Sequence, residues 1–136
     1  MAEFGGEHNI KTAVDAVARV IEIHGIDAGT LNPWYFPSAE EYSKLLERLG
    51  FDDVQTLVYD RPTVLPDGED GIYHWLDMFM DLFFDALPLE SRHDARDQAV
   101  SLPKPMLLRD GNWVIDYRRL RVFATKPLTQ ATSGIL

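Results

Sequence analysis

The run over 70–87 limits what this chain can become more than any other segment. Ile72, Trp75, Leu76, Phe79, Met80, Leu82, Phe83, Phe84 and Leu87 recur at helical spacing but fill more than one face. A helix there has to be covered on more than one side. It is not a membrane span, because Asp77, Asp81 and Asp85 interrupt it every four residues. Apolar partners are therefore needed, and the sequence supplies them. Ile10, Ala13, Val14, Val17, Val20 and Ile21 mark an amphipathic helix over 9–24, with Asn9 as the expected N-cap and Gly25 as the stop. Ser38-Ala39-Glu40-Glu41 reads as a capping box that opens a helix over 38–49, striped by Tyr42, Leu45, Leu46 and Leu49 and closed by Gly50. A mostly polar helix follows near 90–102, ended by Pro103 and Pro105.

Between these helices lie short apolar segments of strand character. Residues 1–4 read as the end of a strand broken by Gly5-Gly6, residues 53–59 as a second strand, and residues 113–125 as one long strand entered through Asp110-Gly111. The predicted fold class is α/β, of an α+β-like kind. A small mixed or antiparallel sheet, with strands near 1–4, 53–59 and 113–125, is covered by helices near 9–24, 38–49, 70–87 and 90–102. One domain is expected over 1–126, with a flexible tail over 127–136. A composition of 46% hydrophobic and 26% charged residues excludes a disordered chain. The absence of cysteine excludes disulfides, thiolate metal sites and a cysteine nucleophile. No apolar leader is visible, so a cytoplasmic protein is expected. The formal charge of −9 repels a phosphate backbone and argues against a nucleic-acid partner; the excess is confined to 1–108 (−12), whereas 109–136 carries +3.

Signatures of chemistry are few. The sequence holds no G-x-G-x-x-G, P-loop, H-E-x-x-H, G-x-S-x-G or EF-hand loop. His8, His24, His74 and His93 fall in different elements without ligand spacing, so no metal site is expected. Asp77, Asp81 and Asp85 share one helix stripe and suit either a divalent cation or a solvated face. The solvated face is preferred, because one helix rarely completes an oxygen shell. Arg118, Arg119 and Arg121 can clamp a carboxylate or neutralise the acidic bulk; in a strand, Arg119 and Arg121 share a face and Arg118 takes the other. Trp34, Tyr35 and Phe36, held between Pro33 and Pro37, cannot all enter one core, so either a pocket or a neighbouring helix receives them. With Trp75 and Phe79, one helical turn apart, they form the candidate substrate pocket. Acid–base candidates are His8, His74, Tyr35 and Asp116, which the sequence does not rank.

Taken in order, Ala2-Glu3-Phe4-Gly5-Gly6, Asn32-Pro33-Trp34-Tyr35-Phe36-Pro37-Ser38 with Glu41-Tyr42, Leu45-Leu46, Gly50-Phe51, Arg61-Pro62-Thr63, and Asp116-Tyr117 with Arg119-Leu120-Arg121 form a pattern. It resembles the C-terminal part of class I S-adenosylmethionine-dependent methyltransferases, in particular the trans-aconitate methyltransferase-like small-molecule group. The resemblance spans nearly all of 1–125. It implies that 1–4 ends the fifth strand of that sheet, that 53–59 is the sixth and that 113–125 is the antiparallel seventh. The helices at 9–24 and 70–102 would be insertions covering the substrate, with Trp34, Tyr35, Trp75 and Phe79 facing it. It also implies that the glycine-rich loop, the acidic residue holding the cofactor ribose and the fourth strand precede residue 1. The chain alone would then hold no cofactor, and S-adenosylmethionine would enter only if a partner supplied the missing half.

Three readings follow: a methyltransferase-family fragment or subunit that is not self-sufficient, a cofactor-free cyclase or isomerase of secondary metabolism that works through its apolar aromatic pocket, and a non-catalytic dimeric interaction protein. The expected partners are a small apolar or carboxylate-bearing molecule and either a second copy or a complementary chain, with neither nucleic acid nor a membrane.

Overall fold

The computed structural model describes residues 1–127, and the expected tail beyond Pro127 lies outside the described residues. In chain order the elements are β1 (Ala2–Gly5), α1 (Lys11–Ile23), α2 (Ala39–Arg48), β2 (Asp52–Asp60), β3 (Thr63–Val64), α3 (Gly71–Phe79), α4 (Asp81–Phe84), α5 (Leu89–Ser101), α6 (Lys104–Leu107), β4 (Leu108–Arg109), β5 (Asn112–Ile115) and β6 (Arg118–Thr125). The class is mixed α/β, with two three-stranded antiparallel sheets, ordered β1-β6-β2 and β3-β5-β4. Two compact units interleave along the chain. The sheet unit is Met1–Asn9, Tyr35–Arg61 and the chain from Arg118 onward; the helical unit is Ile10–Trp34 and Pro62–Tyr117.

In the sheet unit, β6 runs antiparallel to both neighbours, with Glu3 and Leu57 opposite Arg121, and Gly5 and Tyr59 opposite Arg119. Side chains alternate across this register. Phe4, Leu120 and Val122 therefore share one face, and Glu3, Leu57, Tyr59, Arg119, Arg121 and Phe123 share the other. The Phe4 face meets α2, where the Tyr42 ring stands edge-on to Phe4 at 4.9 Å. The expected capping box opens α2: Glu41 N–H donates to Ser38 Oγ at 3.1 Å, and Ser38 N–H donates to Glu41 Oε1 at 3.3 Å. At the start of β2 the register slips between Asp52 and Gln55, and Asp53 takes a φ of 51°.

The helical unit carries the core. Of the 23 buried hydrophobic residues described, only Leu120 and Val122 belong to the sheet unit. The single helix expected over 70–87 is two helices, α3 and α4, separated at Met80. That break answers the problem the sequence posed. The chain changes direction at Met80, so Ile72, Trp75, Leu76, Met80, Phe83, Phe84 and Leu87 are all buried while Met78, Phe79 and Leu82 stay in solvent. The three aspartates do not remain one stripe. Arg96 Nη2 lies 2.8 Å from Asp77, and Arg92 Nη1 lies 3.9 Å from Asp85. Among the described residues, no group of three histidine or acidic side chains could hold a metal ion.

The long strand expected over 113–125 is also broken, into β5 and β6, which lie in different sheets. Asp116 and Tyr117 have other partners. The Asp116 carbonyl accepts from Ile10 N–H at 3.0 Å, and the Tyr117 amide folds back on Ile115 O at 2.9 Å. Thr63 and Val64, expected in a loop, pair with Ile115 and Val114 as β3. Between β4 and β5, Asp110 (φ 51°) and Gly111 (φ 77°) form a two-residue hairpin, a turn that needs positive φ at both positions. Asn9 does not cap α1. Its Oδ1 accepts from Arg118 N–H at 2.6 Å, and Ile10, with φ 48°, holds the N-cap position without a side-chain bond. Among the described residues, no helix is long and apolar enough to cross a membrane.

Candidate functional site

The first turn of α1 leaves backbone N–H groups without helical partners, and Ile10 has no side-chain acceptor to offer them. Asp116, 104 residues away in sequence, supplies the acceptor. Its Oδ2 takes the Thr12 N–H at 3.1 Å and the Thr12 hydroxyl at 2.7 Å, next to the positive end of the helix. Its Oδ1 is sealed from solvent without a hydrogen-bond partner. Asp116 also forms part of the wall of a cavity of about 340 Å³, with Pro62, Met106, Leu107, Arg109 and Val114. The lining is apolar apart from one carboxylate and one guanidinium. A carboxylate fixed through one oxygen can orient a polar group on a small molecule or accept its proton, while Arg109 offers a charge of opposite sign.

The other acid–base candidates stand apart from this cavity. His8 is exposed, with Nε2 3.8 Å from Glu7. His74 is on the solvent side of α3, and the Tyr35 side chain is 62% exposed. None of the five aromatic candidates lines the Asp116 cavity. In the helical unit, Trp34 packs on Phe83 with centroids 6.0 Å apart, and Trp75 meets Phe79 at 5.4 Å. The buried Trp75 donates its indole N–H to Tyr117 Oη at 3.0 Å, while Phe79 is 43% exposed. In the sheet unit, the Phe36 ring closes on Gly5.

Sequence reasoning missed a second polar centre, the Glu3 carboxylate. Tyr59 Oη donates to its Oε1 at 2.7 Å, Arg121 Nε to its Oε2 at 2.9 Å, and Arg119 Nε to its Oε1 at 3.5 Å; Arg61 lies 3.8 Å away. Chiefly the Tyr59 hydrogen bond, then Arg121, lowers the Glu3 pKa from an ordinary 4.5 to about 2. Glu3 in turn pushes the Arg121 pKa up. The expected pairing of Arg119 and Arg121 on one strand face is present, and Arg118 pairs with Asp60 at 2.7 Å. The only early signal was that shared face; the partner comes from a strand more than a hundred residues earlier.

Gly5 and Gly6 follow a strand, where a glycine pair can cradle a cofactor. Here the chain itself fills that space. A Cβ on Gly5 would lie 2.7 Å from both Asn9 Nδ2 and Phe36 Cε1, and one on Gly6 would lie 3.1 Å from Leu120 Cβ. These residues do not fit a cofactor cradle.

No family model matches the chain. It is 30% identical over 129 residues to an uncharacterized methyltransferase of Schizosaccharomyces pombe, a match that covers 93% of this chain and 48% of that protein. This likeness supports a methyltransferase-like relationship. The chain spans about half the length of the curated relative it matches.

Proposed function

We propose that this chain is the substrate-side portion of a methyltransferase-like protein of the S-adenosylmethionine-dependent kind, and that these 136 residues do not transfer a methyl group unaided. The observation that carries this reading is the unfinished state of the β1-β6-β2 sheet. Neither α2 nor β2 buries a single residue, and the face opposite α2 leaves Leu57 54% and Phe123 48% exposed. Three strands with so little buried surface call for cover.

The two sheet edges differ in a way that says where further strands would add. The β2 edge is blunted by its bulge and by Asp52, Asp53 and Asp60. The β1 edge carries no proline, lysine or bulge, so it is the edge open to pairing. In this reading a cofactor-binding half supplies strands beside β1, as the 48% coverage of the relative suggests. The antiparallel run of β6 agrees with what the resemblance implies for that segment. The substrate is a small apolar or carboxylate-bearing molecule, and the setting is cytoplasmic.

Calorimetry of the purified chain with S-adenosylmethionine is the test. No saturable heat is expected. A 1:1 isotherm would show that the chain has a cofactor site of its own and would sink the reading.

A further inference from the structure

Two adjoining cavities of about 270 Å³ each run along α1, sharing Arg19 and Leu102 in their walls. One is an open groove lined further by Val20, Ile23, Gln98 and Ser101, and its polar side chains, Arg19, Gln98 and Ser101, are all hydrogen-bond donors with no carboxylate among them. The other continues over Thr12, Ala16 and Met106 and has the Asp15 side chain in its wall. Arg19, like Arg48 and Arg109, pairs with no acidic side chain among the described residues, unlike the other arginines of this acidic chain. Arg92, Arg96, Arg118, Arg119 and Arg121 each have an acidic partner, whereas no ion pair or hydrogen bond engages the Arg19 side chain among the described residues. Asp15, one turn earlier, is held by Lys11 instead.

We propose that this groove binds an amphipathic organic acid, its carboxylate on Arg19 between Gln98 and Ser101 and its apolar body along Leu102, Ala16 and Met106. A planar guanidinium matches a carboxylate through paired N–H donors. Pockets that select small molecules combine mostly apolar walls with a few converging polar groups. The length of α1 from Arg19 back to Thr12, roughly 10 Å at 1.5 Å per residue, suits a medium-length aliphatic chain. The groove shares Met106 with the Asp116 cavity, but its proposed carboxylate subsite at Arg19 lies outside that cavity and does not rest on the proposed methyltransferase role.

Octanoate titrated into the isotopically labelled chain, with octanol as the uncharged control, tests it. Saturable shifts are expected in the amides of residues 16–23 and 98–102, with octanol at least roughly fivefold weaker, the size of a part-exposed charge-assisted contact. Arg19→Gln should weaken octanoate about fivefold and leave octanol unchanged, and Arg19→Lys should restore part of the loss. Arg19 is exposed on α1, so the variant is expected to keep its fold, with circular dichroism as the check. Equal affinity for acid and alcohol, an Arg19→Gln variant that binds octanoate as the parent does, or shifts confined to other residues would each overturn the proposal.

Discussion

In the helical unit, Trp113, Phe83, Ile72, Leu76 and Ile115 are all essentially withdrawn from water. In the sheet unit, the strands are tied across one face by Glu3, Tyr59, Arg119 and Arg121 instead. The first arrangement is stabilised by removing apolar area from solvent, a contribution that grows with every side chain buried. The second rests on part-exposed charges, each of which contributes little while water screens it. The difference teaches that the two units are not equally self-supporting, and that a covering partner has most to add at the sheet.

The largest effect that sharpens this contrast is expected from Phe83→Ala. It removes a fully buried ring that packs on Trp34 and should cost roughly 3–5 kcal/mol in urea unfolding. Leu57→Ala, on the open sheet face, should cost less than about 0.5 kcal/mol. A comparable loss for Leu57→Ala would mean that this face is covered in solution, and the contrast would fail. Next in size is Asp116→Ala, which strips the first turn of α1 of its acceptor. A cost of about 1–2 kcal/mol is expected, with faster amide exchange at Thr12, whereas Asp116→Asn, which keeps an acceptor oxygen, should cost less. Unchanged exchange at Thr12 in the alanine variant would contradict the capping role.

The smallest effect concerns acid. The folded-state pKa of Glu3 lies below its ordinary value, so its ionised form contributes stability that is complete above about pH 4.5 and is lost as the pH falls toward 2. Glu3→Gln should flatten that part of the acid-unfolding curve and leave the helical unit unaffected. A parent and a variant with the same acid limb would show that the Glu3 cluster does not support the sheet.

Much of this was legible in the sequence where the cause is local. Ser38 and Glu41 meet because they are three residues apart at a helix start. Gly25 and Gly50 stop their helices because each takes a positive φ, which glycine adopts without a Cβ penalty. The apolar excess over 70–87 correctly demanded cover on several sides, but periodicity could not show that a break at Met80 would meet that demand. The continuous strand over 113–125 was a fair reading of β propensity. It failed at Asp116 and Tyr117 because tertiary partners outbid the ladder: Ile10 and Thr12 take Asp116, and Trp75 bonds to Tyr117.

The sequence by itself determined the mixed class, the positions of most helices, the shared face of Arg119 and Arg121, and a methyltransferase-like pattern. Those follow from spacing along the chain, which fixes which side chains share a face. Only the tertiary structure decided that Asp116 rather than Asn9 would hold the start of α1, that Glu3 would be the acid those arginines surround, and that one sheet would remain largely uncovered. The first two join groups far apart in sequence, and a hydrogen bond across such a distance forms only after packing has already brought its partners together, while the third depends on what the finished packing leaves exposed.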